Sequence, residues 1–479
     1  MSTTLEQAQH RPWLRWATPT AGSVQANREG PQTTSTALIR AAKSAMGWII
    51  RLVLLAVGGV IIGIWAHSGG LTGVTNTATL LISAGRLTGL FGAYLLLLQI
   101  LSLARLPFFE WVAGFDRLTA LHRINGKVCL GLILAHIALI TSGYALLSKI
   151  PIGTQLAVFV TGYHAMVAAV IGTALLILVV VTSVVIVKRR LRYETWYAVH
   201  LAAYVGALLT WFHQIPTGMV VFSNPLVTML WTGLYVFTLQ LVIIFRFLQP
   251  ALRSWLHQLR VAEVVPEGEG VVSIRIVGRH LEYLNAHAGQ FFQWRFLDRH
   301  RWWESHPFSL SEAPDGRSLR ITIKDLGDFS RRAGLIRPGT RVIAEGPFGS
   351  FTVGARIGDR VALIAGGVGI TPIRALLESM RGDIAVIYRA SRYDDLIFRH
   401  ELEMLAAERC AELHYLTGDR SRPENSEFLT PRHLRRLIPD IRRRDVYLCG
   451  PPAMMALIED SLRRVGVPPV RIHRDDFSL

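Results

Sequence analysis

Only three cysteines, Cys129, Cys410 and Cys449, are scattered through the 479 residues. They are too few and too far apart for a disulfide framework or a zinc site. Charge is also scarce: 18% of residues are charged and 51% hydrophobic, a balance poor in charge for a soluble protein. The chain has no metal-hydrolase motif, no catalytic triad, no calcium-binding loop and no internal repeat. Its net charge of +17 does not mark a nucleic-acid binder, because the basic residues crowd at alternate ends of long charge-free runs. That distribution belongs to a membrane protein.

The first 45 residues are polar, lack the apolar core of a signal peptide, and read as a disordered cytosolic tail. Six apolar stretches follow, at about 47–66, 80–104, 122–147, 156–187, 196–213 and 226–247. Each is close to or above the ~20 residues a helix needs to cross the hydrocarbon, so 46–250 is expected to be a six-span helical bundle. Basic residues sit in the tail (Arg11, Arg15, Arg28, Arg40, Lys43), in the second-to-third connection (Arg105, Arg117, Arg123) and in the fourth-to-fifth (Lys188, Arg189, Arg190, Arg192). The opposite connections carry only Lys149. The positive-inside rule then places both termini in the cytosol of a cell membrane.

The third and fifth spans each carry two histidines, His122 and His136 on one, His200 and His213 on the other. Fourteen residues of helix climb about 21 Å and return to within about 40° of the same face. Odd-numbered spans run parallel, so His122 is level with His200 and His136 with His213. Each level pair can grip one haem iron from both sides. Thirteen residues leave His213 about 140° out of phase with His200 on an ideal helix. A single intramembrane histidine is otherwise read as a hydrogen-bonding partner of a neighbouring helix, and that reading is kept for His164 and His67.

After Arg253 the composition turns soluble. Alternating stretches such as "GVVSIRIVG" (270–278) and "LRITIKDLG" (319–327) read as half-buried strands of a small antiparallel barrel over 255–352. "DRVALIAGGVGITPIRALLESM" (359–380) then runs strand, glycine turn, helix, and further buried strands follow, so 357–479 reads as a doubly wound α/β domain. In "GGVGITP", Gly366, Gly367, Gly369, Thr371 and Pro372 open a helix whose N-terminus favours a pyrophosphate.

This combination resembles the NADPH oxidase and ferric reductase superfamily over about residues 80–479. The resemblance rests on six spans, histidines 13–14 apart on the third and fifth, and a flavin–nicotinamide dehydrogenase. It implies two b-type haems held by the four histidines, with FAD and NADPH (NADH being possible) as the other cofactors. "HPFSL" resembles the family's flavin strand. That likeness implies that Phe308 stacks on the isoalloxazine, Ser309 bonds its N5, and His306 and Pro307 lie alongside. "KDLGDFS" resembles the pyrophosphate loop, with Lys324, Gly327 and Ser330, and "EGPFG" brings Gly346. "CGPP" resembles the loop over the nicotinamide, with Cys449, Gly450 and Pro451, and Phe477 stands where the family has an aromatic shielding the flavin. One departure is Gly206, midway along the fifth span, where family members often place an aromatic between the haems.

Arg389 and Arg392 in "YRASR" stand where NAD-specific folds usually put an acid, and guanidinium suits a 2′-phosphate. Arg86 lies one to two turns inside the second span, level with His136 and His213. There it either serves the outer acceptor site or snorkels to the interface. The expected activity is electron transfer from NADPH through FAD and two haems to oxygen or a ferric chelate outside. Membrane lipid is the surrounding partner, with no nucleic acid and no obligatory protein partner. An electron-delivery subunit for a partner protein or quinone is the alternative, and a nucleotide-sensing transporter is the reading from another class.

Overall fold

The computed structural model describes residues 33–184, 193–218, 224–299, 302–419, 425 and 427–476. Among these, five helices are long and apolar enough to cross a bilayer: Ala41–Gly70, Thr77–Ser102, Arg117–Ser148, Met166–Ser183 and Pro225–His257. In chain order the membrane half comprises α1 (Thr33–Trp65), α2 (Thr77–Ser102), α3 (Pro107–Ala113), α4 (Phe115–Ser148), α5 (Ile152–Gly162), α6 (Met166–Ser183), α7 (Tyr193–Phe212) and α8 (Pro225–Val242). The 20 residues of α7 form the shortest expected span. The chain is a multi-pass membrane protein. The basic run Lys188–Arg192 and the first 32 residues lie outside the described residues.

Two expectations change. Helix α1 begins at Thr33, so residues 33–45 are helical rather than part of a disordered tail; alanine and leucine in "TALIRAAKSA" favour that extension. The fourth span also proves to be two helices. Tyr163 is extended and Ala165 left-handed at φ 63°, and they break the apolar run between α5 and α6. His164 therefore lies in the break, exposed, and not within a span. Hydropathy could not show this, because a backbone reversal leaves an apolar run apolar.

Small residues bring the helices together, as expected where lipid offers no hydrophobic contrast. Gly85, Gly89 and Gly92 of α2 face Ile140, His136 and Ile133 of α4. Gly172 of α6 and Gly206 of α7 pack back to back, each with a virtual Cβ about as close as 3 Å to the other's carbonyl. Helix α8 continues through a π-turn (Ile243–Leu248) into α9 (Gln249–His257), which hands the chain to the soluble half.

That half begins with β1 (Arg260–Gly268), β2 (Val271–Val277), β3 (Phe291–Phe296), β4 (His306–Ser309), β5 (Ser318–Lys324) and β6 (Val342–Phe348). They form antiparallel sheets β1-β2-β5 and β4-β3-β6. Bridges Arg260↔Arg341 and Leu310↔Ile321 join the sheets around a core that includes Ile274, Phe292, Trp294 and Ile321. β7 (Arg360–Gly366), β8 (Asp383–Ala390), β9 (Glu412–Thr417), β10 (Asp445–Gly450) and β11 (Ile472–Asp476) make a parallel sheet in the order β11-β10-β7-β8-β9. Helices α10 (Ile370–Ser379), α11 (Arg399–Arg409), α12 (Pro431–Leu437) and α13 (Pro452–Arg464) connect its strands. Alternate residues of β7 enter opposite cores, Val361, Leu363 and Ala365 on one face and Ala362 and Ile364 on the other. Burial on both faces explains the unbroken apolar run of that strand.

A buried ion network joins the two soluble domains. Arg320 of β5 donates to Glu401 of α11 at 2.9 and 2.8 Å, and Arg374 of α10 donates to the same carboxylate at 2.9 Å. Burial alone would push Glu401 up, but the hydrogen bonds and charge of Arg320 and Arg374 outweigh it and hold the carboxyl below its usual range.

Candidate functional site

The four histidines form two pairs. His122 and His200 face each other with ring centroids 6.0 Å apart. Imidazole–metal bonds of about 2.0–2.1 Å on either side of one ion put ring centres roughly 6 Å apart, so this pair fits a haem iron. The hydrogen bonds fit as well. His122 Nδ1 meets Ser102 Oγ at 3.0 Å and the Gln99 carbonyl at 3.2 Å, and His200 Nδ1 meets Ser183 Oγ at 3.2 Å. A ring held at Nδ1 presents Nε2 to a metal. At the other level His136 Nδ1 donates to the Gly85 carbonyl at 2.7 Å and its ring packs on Gly89. His213 is buried, lies within electrostatic reach of His136, and has the Thr210 carbonyl beside it.

The end of α7 falls at His213: the helix ends at Phe212, and His213 opens a separate turn, Gln214–Thr217. His213 itself keeps helical angles, φ −70° and ψ −22°, so this turn leaves its phase along α7 unchanged. Gly206 likewise faces α6, with its virtual Cβ 3.2 Å from Leu176. Leu96, Cys129, Leu176 and Ala207 fill the layer between the two levels, and Cys129 lies seven residues from both His122 and His136.

Arg86 follows Gly85, whose carbonyl holds His136, so it occupies the level of His136. Sequence reasoning missed the neighbouring cluster. Trp231 Nε1 donates to Gln214 at 2.9 Å, Gln214 donates to the Tyr235 hydroxyl at 3.1 Å, and Trp211 stacks on Tyr235 at 5.5 Å.

In the soluble half the sheet order reverses at β7, between β10 and β8, which is where doubly wound folds bind ligands. The turn at Gly366–Gly369, where β7 ends, and the stretch Cys449–Pro451, where β10 ends, meet there. A Cβ on Gly369 would overlap the Cys449 carbonyl, and one on Gly366 would overlap Met454. Gly367 has φ 54° with open space beside it, which leaves its backbone accessible. Thr371 is buried and spends its hydroxyl on the Val368 carbonyl, and Pro372 is buried in the first turn of α10.

The flavin strand comes to the same place. Ser309 of β4 donates to Asp475 of β11 at 3.4 Å, and Asp475 is in register with Cys449 of β10. Ser309, Cys449 and Asp475 thus converge from three distant segments, and Asp475 was not singled out from the sequence. Phe308, His306 and Phe329 form a ring stack, with His306 and Phe329 centroids 4.0 Å apart. Pro307 lies between them in β4, Lys324 ends β5, and Gly450 ends β10. Phe477 lies outside the described residues.

Several expected contacts are taken by the protein itself. Ser330 Oγ accepts from the amides of Leu326 and Gly327 at 2.8 Å each, so it closes its own loop instead of standing free for a phosphate. Arg389 donates to the Leu416 and Gly418 carbonyls and lies over Phe428. Arg392 is exposed and pairs with Asp395 at 3.0 Å and Glu269 at 3.4 Å. Its hydrogen bond holds the Asp395 carboxyl below the usual range. Gly346 turns its carbonyl toward the membrane half, where it accepts from Arg253. Most of these bonds join segments far apart in the chain, so motif likeness alone did not reveal them.

At the joint between the halves Arg105, Glu110, Arg253 and Glu345 line a cavity of about 80 Å³. Burial pushes the Glu110 carboxyl up from 4.5 to about 7, against the pull of Arg105 and Arg253. A carboxyl whose folded value is raised favours the folded state most below about pH 4.5, and that contribution is lost as pH rises through about 7. Glu110→Gln should therefore flatten the fall of apparent Tm over that window, a difference of up to about 3 kcal/mol. Parallel Tm–pH curves for the two proteins would contradict it.

The comparisons with known proteins follow the same division. The family described as "Ferric reductase like transmembrane component" matches residues 88–211, the "FAD-binding domain" 256–352 and the "Oxidoreductase NAD-binding domain" 363–460. The ferredoxin reductase component of 3-ketosteroid-9-alpha-monooxygenase from Mycolicibacterium smegmatis is 30% identical over 246 residues, 47% of this chain and 67% of that one. The reductase subunit of glycine betaine monooxygenase from Chromohalobacter salexigens is 27% identical over 186 residues, 36% of this chain and 50% of that protein. The chain thus spans about half to two thirds of the length of these relatives. A solved FAD/NAD-binding domain of nitric oxide dioxygenase from Vibrio cholerae is 24% identical, with a TM-score of 0.38, covering 46% of this chain and 98% of that one. A membrane helical module joined to flavin and nicotinamide domains defines a transmembrane flavoprotein oxidoreductase. The chain belongs to the NADPH oxidase/ferric reductase superfamily.

Proposed function

We propose that the protein takes electrons from cytosolic NADPH, with NADH as the second donor, and passes them through FAD and two bis-histidine b-type haems to oxygen or a ferric chelate outside. The observation that carries this reading is the facing of His122 and His200 at 6.0 Å, each tied back through Nδ1. Bound flavin would supply the conversion from a two-electron hydride donor to one-electron steps. Ser309, Cys449 and Asp475 orient the reacting rings where β4, β10 and β11 meet. Arg389 in β8 and Arg392 just beyond it would bind the 2′-phosphate of NADPH only by exchanging their intrachain bonds for it, and Arg86 at the level of His136 would hold an anionic acceptor. Basic-residue asymmetry supports a plasma-membrane protein with cytosolic termini.

Delivery of electrons to a partner protein is the second reading, favoured because two relatives are reductase components of monooxygenases. The test is anaerobic addition of NADPH to purified, haem- and FAD-loaded protein, followed by oxygen or ferric chelate. Haem reduction by NADPH and reoxidation by either acceptor alone support the first reading. Reduction without reoxidation supports the second, and no haem reduction refutes both. In Arg86→Leu, haem content and reduction should persist while acceptor turnover falls by about tenfold or more, as loss of one charge-stabilising contact does.

A further inference from the structure

One carboxylate spans the junction between the halves. Glu345 of β6 forms ion pairs with Arg105, just after α2, and with Arg246 at 3.5 Å; all three side chains are largely buried. Arg105 lies three residues beyond Ser102, whose hydroxyl meets His122 Nδ1. Arg246 donates to the Tyr197 hydroxyl at 2.9 Å, and Tyr197 follows Trp196, whose ring lies 5.0 Å from that of His200. The two arginines therefore belong to the opposite walls of the inner histidine pair. Beside them Arg253 donates to the Gly346 carbonyl, and Arg105 lies over the Phe348 ring at 5.2 Å.

On the flavin side, Glu345 is in register with Gln293 of β3, and β3 pairs on its other edge with β4, which carries Phe308 and Ser309. Two strand spacings, about 9.5 Å, separate the β6 carboxylate's backbone from the flavin strand. A sheet is stiff over that distance, so whatever fixes Glu345 also fixes Phe308.

We propose that Glu345 is a positioning residue, whose single carboxylate clasps both walls of the inner histidine pair and so sets the gap between flavin and inner haem. This rests on the electron-transfer reading above. The clasp is buried, so moderate salt leaves it intact, whereas removing the Glu345 carboxylate strands two guanidiniums. A displacement of about 1 Å at a reacting centre can cost on the order of 100-fold in rate.

The experiment uses full-length protein loaded with haem and FAD, comparing wild type with Glu345→Ala, Glu345→Asp and Arg105→Met. Stopped-flow mixing with NADPH separates bleaching of the flavin from reduction of the haem. In Glu345→Ala and Arg105→Met, flavin bleaching and haem content should be unchanged while flavin-to-haem transfer slows about tenfold or more. Glu345→Asp should recover part of that loss. A second readout needs no turnover: hydrogen exchange over Val342–Phe348 and Gln249–His257 should speed up in both disruptive variants. Unchanged transfer in Glu345→Ala overturns the clasp, and so does a parallel slowing of flavin bleaching, which would mark general loosening of the barrel. Absent haem reduction in wild type would refute the electron-transfer reading, while the exchange measurement would still decide the clasp.

Discussion

His136→Ala and His213→Ala are each expected to leave a protein with one haem in place of two, still reducible by NADPH but unable to serve an outer acceptor. The structure separates the two levels. His122 and His200 have their own partners in Ser102, Gln99 and Ser183, none shared with His136 or His213. Loss of the outer iron should therefore leave the inner pair intact. Removing even a group that hydrogen-bonds a ligand costs about 10–100-fold in metal affinity, and removing a ligand should exceed that. Haem-to-protein ratio and the reduced spectrum check the binding, and acceptor turnover checks the relay. The complementary His122→Ala and His200→Ala variants should bind the outer haem yet fail to reduce it with NADPH. Full haem content in all four would overturn the assignment.

The second large effect needs no change to a ligand. Gly89→Val should lose the outer haem while keeping the inner one. A Cβ at position 89 would lie 2.6 Å from His136 Nδ1 and 2.9 Å from Cε1, so the ring must move. Moving it breaks the 2.7 Å bond to the Gly85 carbonyl, which orients the imidazole. Overpacking of this kind typically costs about 1–3 kcal/mol, and the misdirected ligand should lower haem affinity by about 10–100-fold. Gly131→Val is the control, because nothing lies within 4 Å of a Cβ there. Equal haem content in both variants would contradict the proposed role of the glycine.

The long apolar helices and the histidine levels were legible because a helix has a fixed rise and angle per residue, so sequence spacing translates into position. Both nucleotide-binding stretches were legible for a related reason: the glycine turn follows its strand directly. The break at Tyr163–Ala165 was not legible, since apolarity carries no information about a left-handed residue inside an apolar run. The end of α7 at Phe212 was foreshadowed by Pro216.

By itself, then, the sequence determined the domain order, the buried strands of the nucleotide sheet and the spacing of the four histidines. All of these depend on periodicities of a few residues. Tertiary structure alone decided that Ser309, Cys449 and Asp475 meet, that Gly206 faces α6, and that Ser330, Arg389 and Gly346 are held by intrachain bonds. It also decided that Glu345 reaches Arg105 and Arg246, which lie 240 and 99 residues before it. Such contacts join segments whose separation follows no period, so only the packed chain specifies which carboxylate meets which guanidinium.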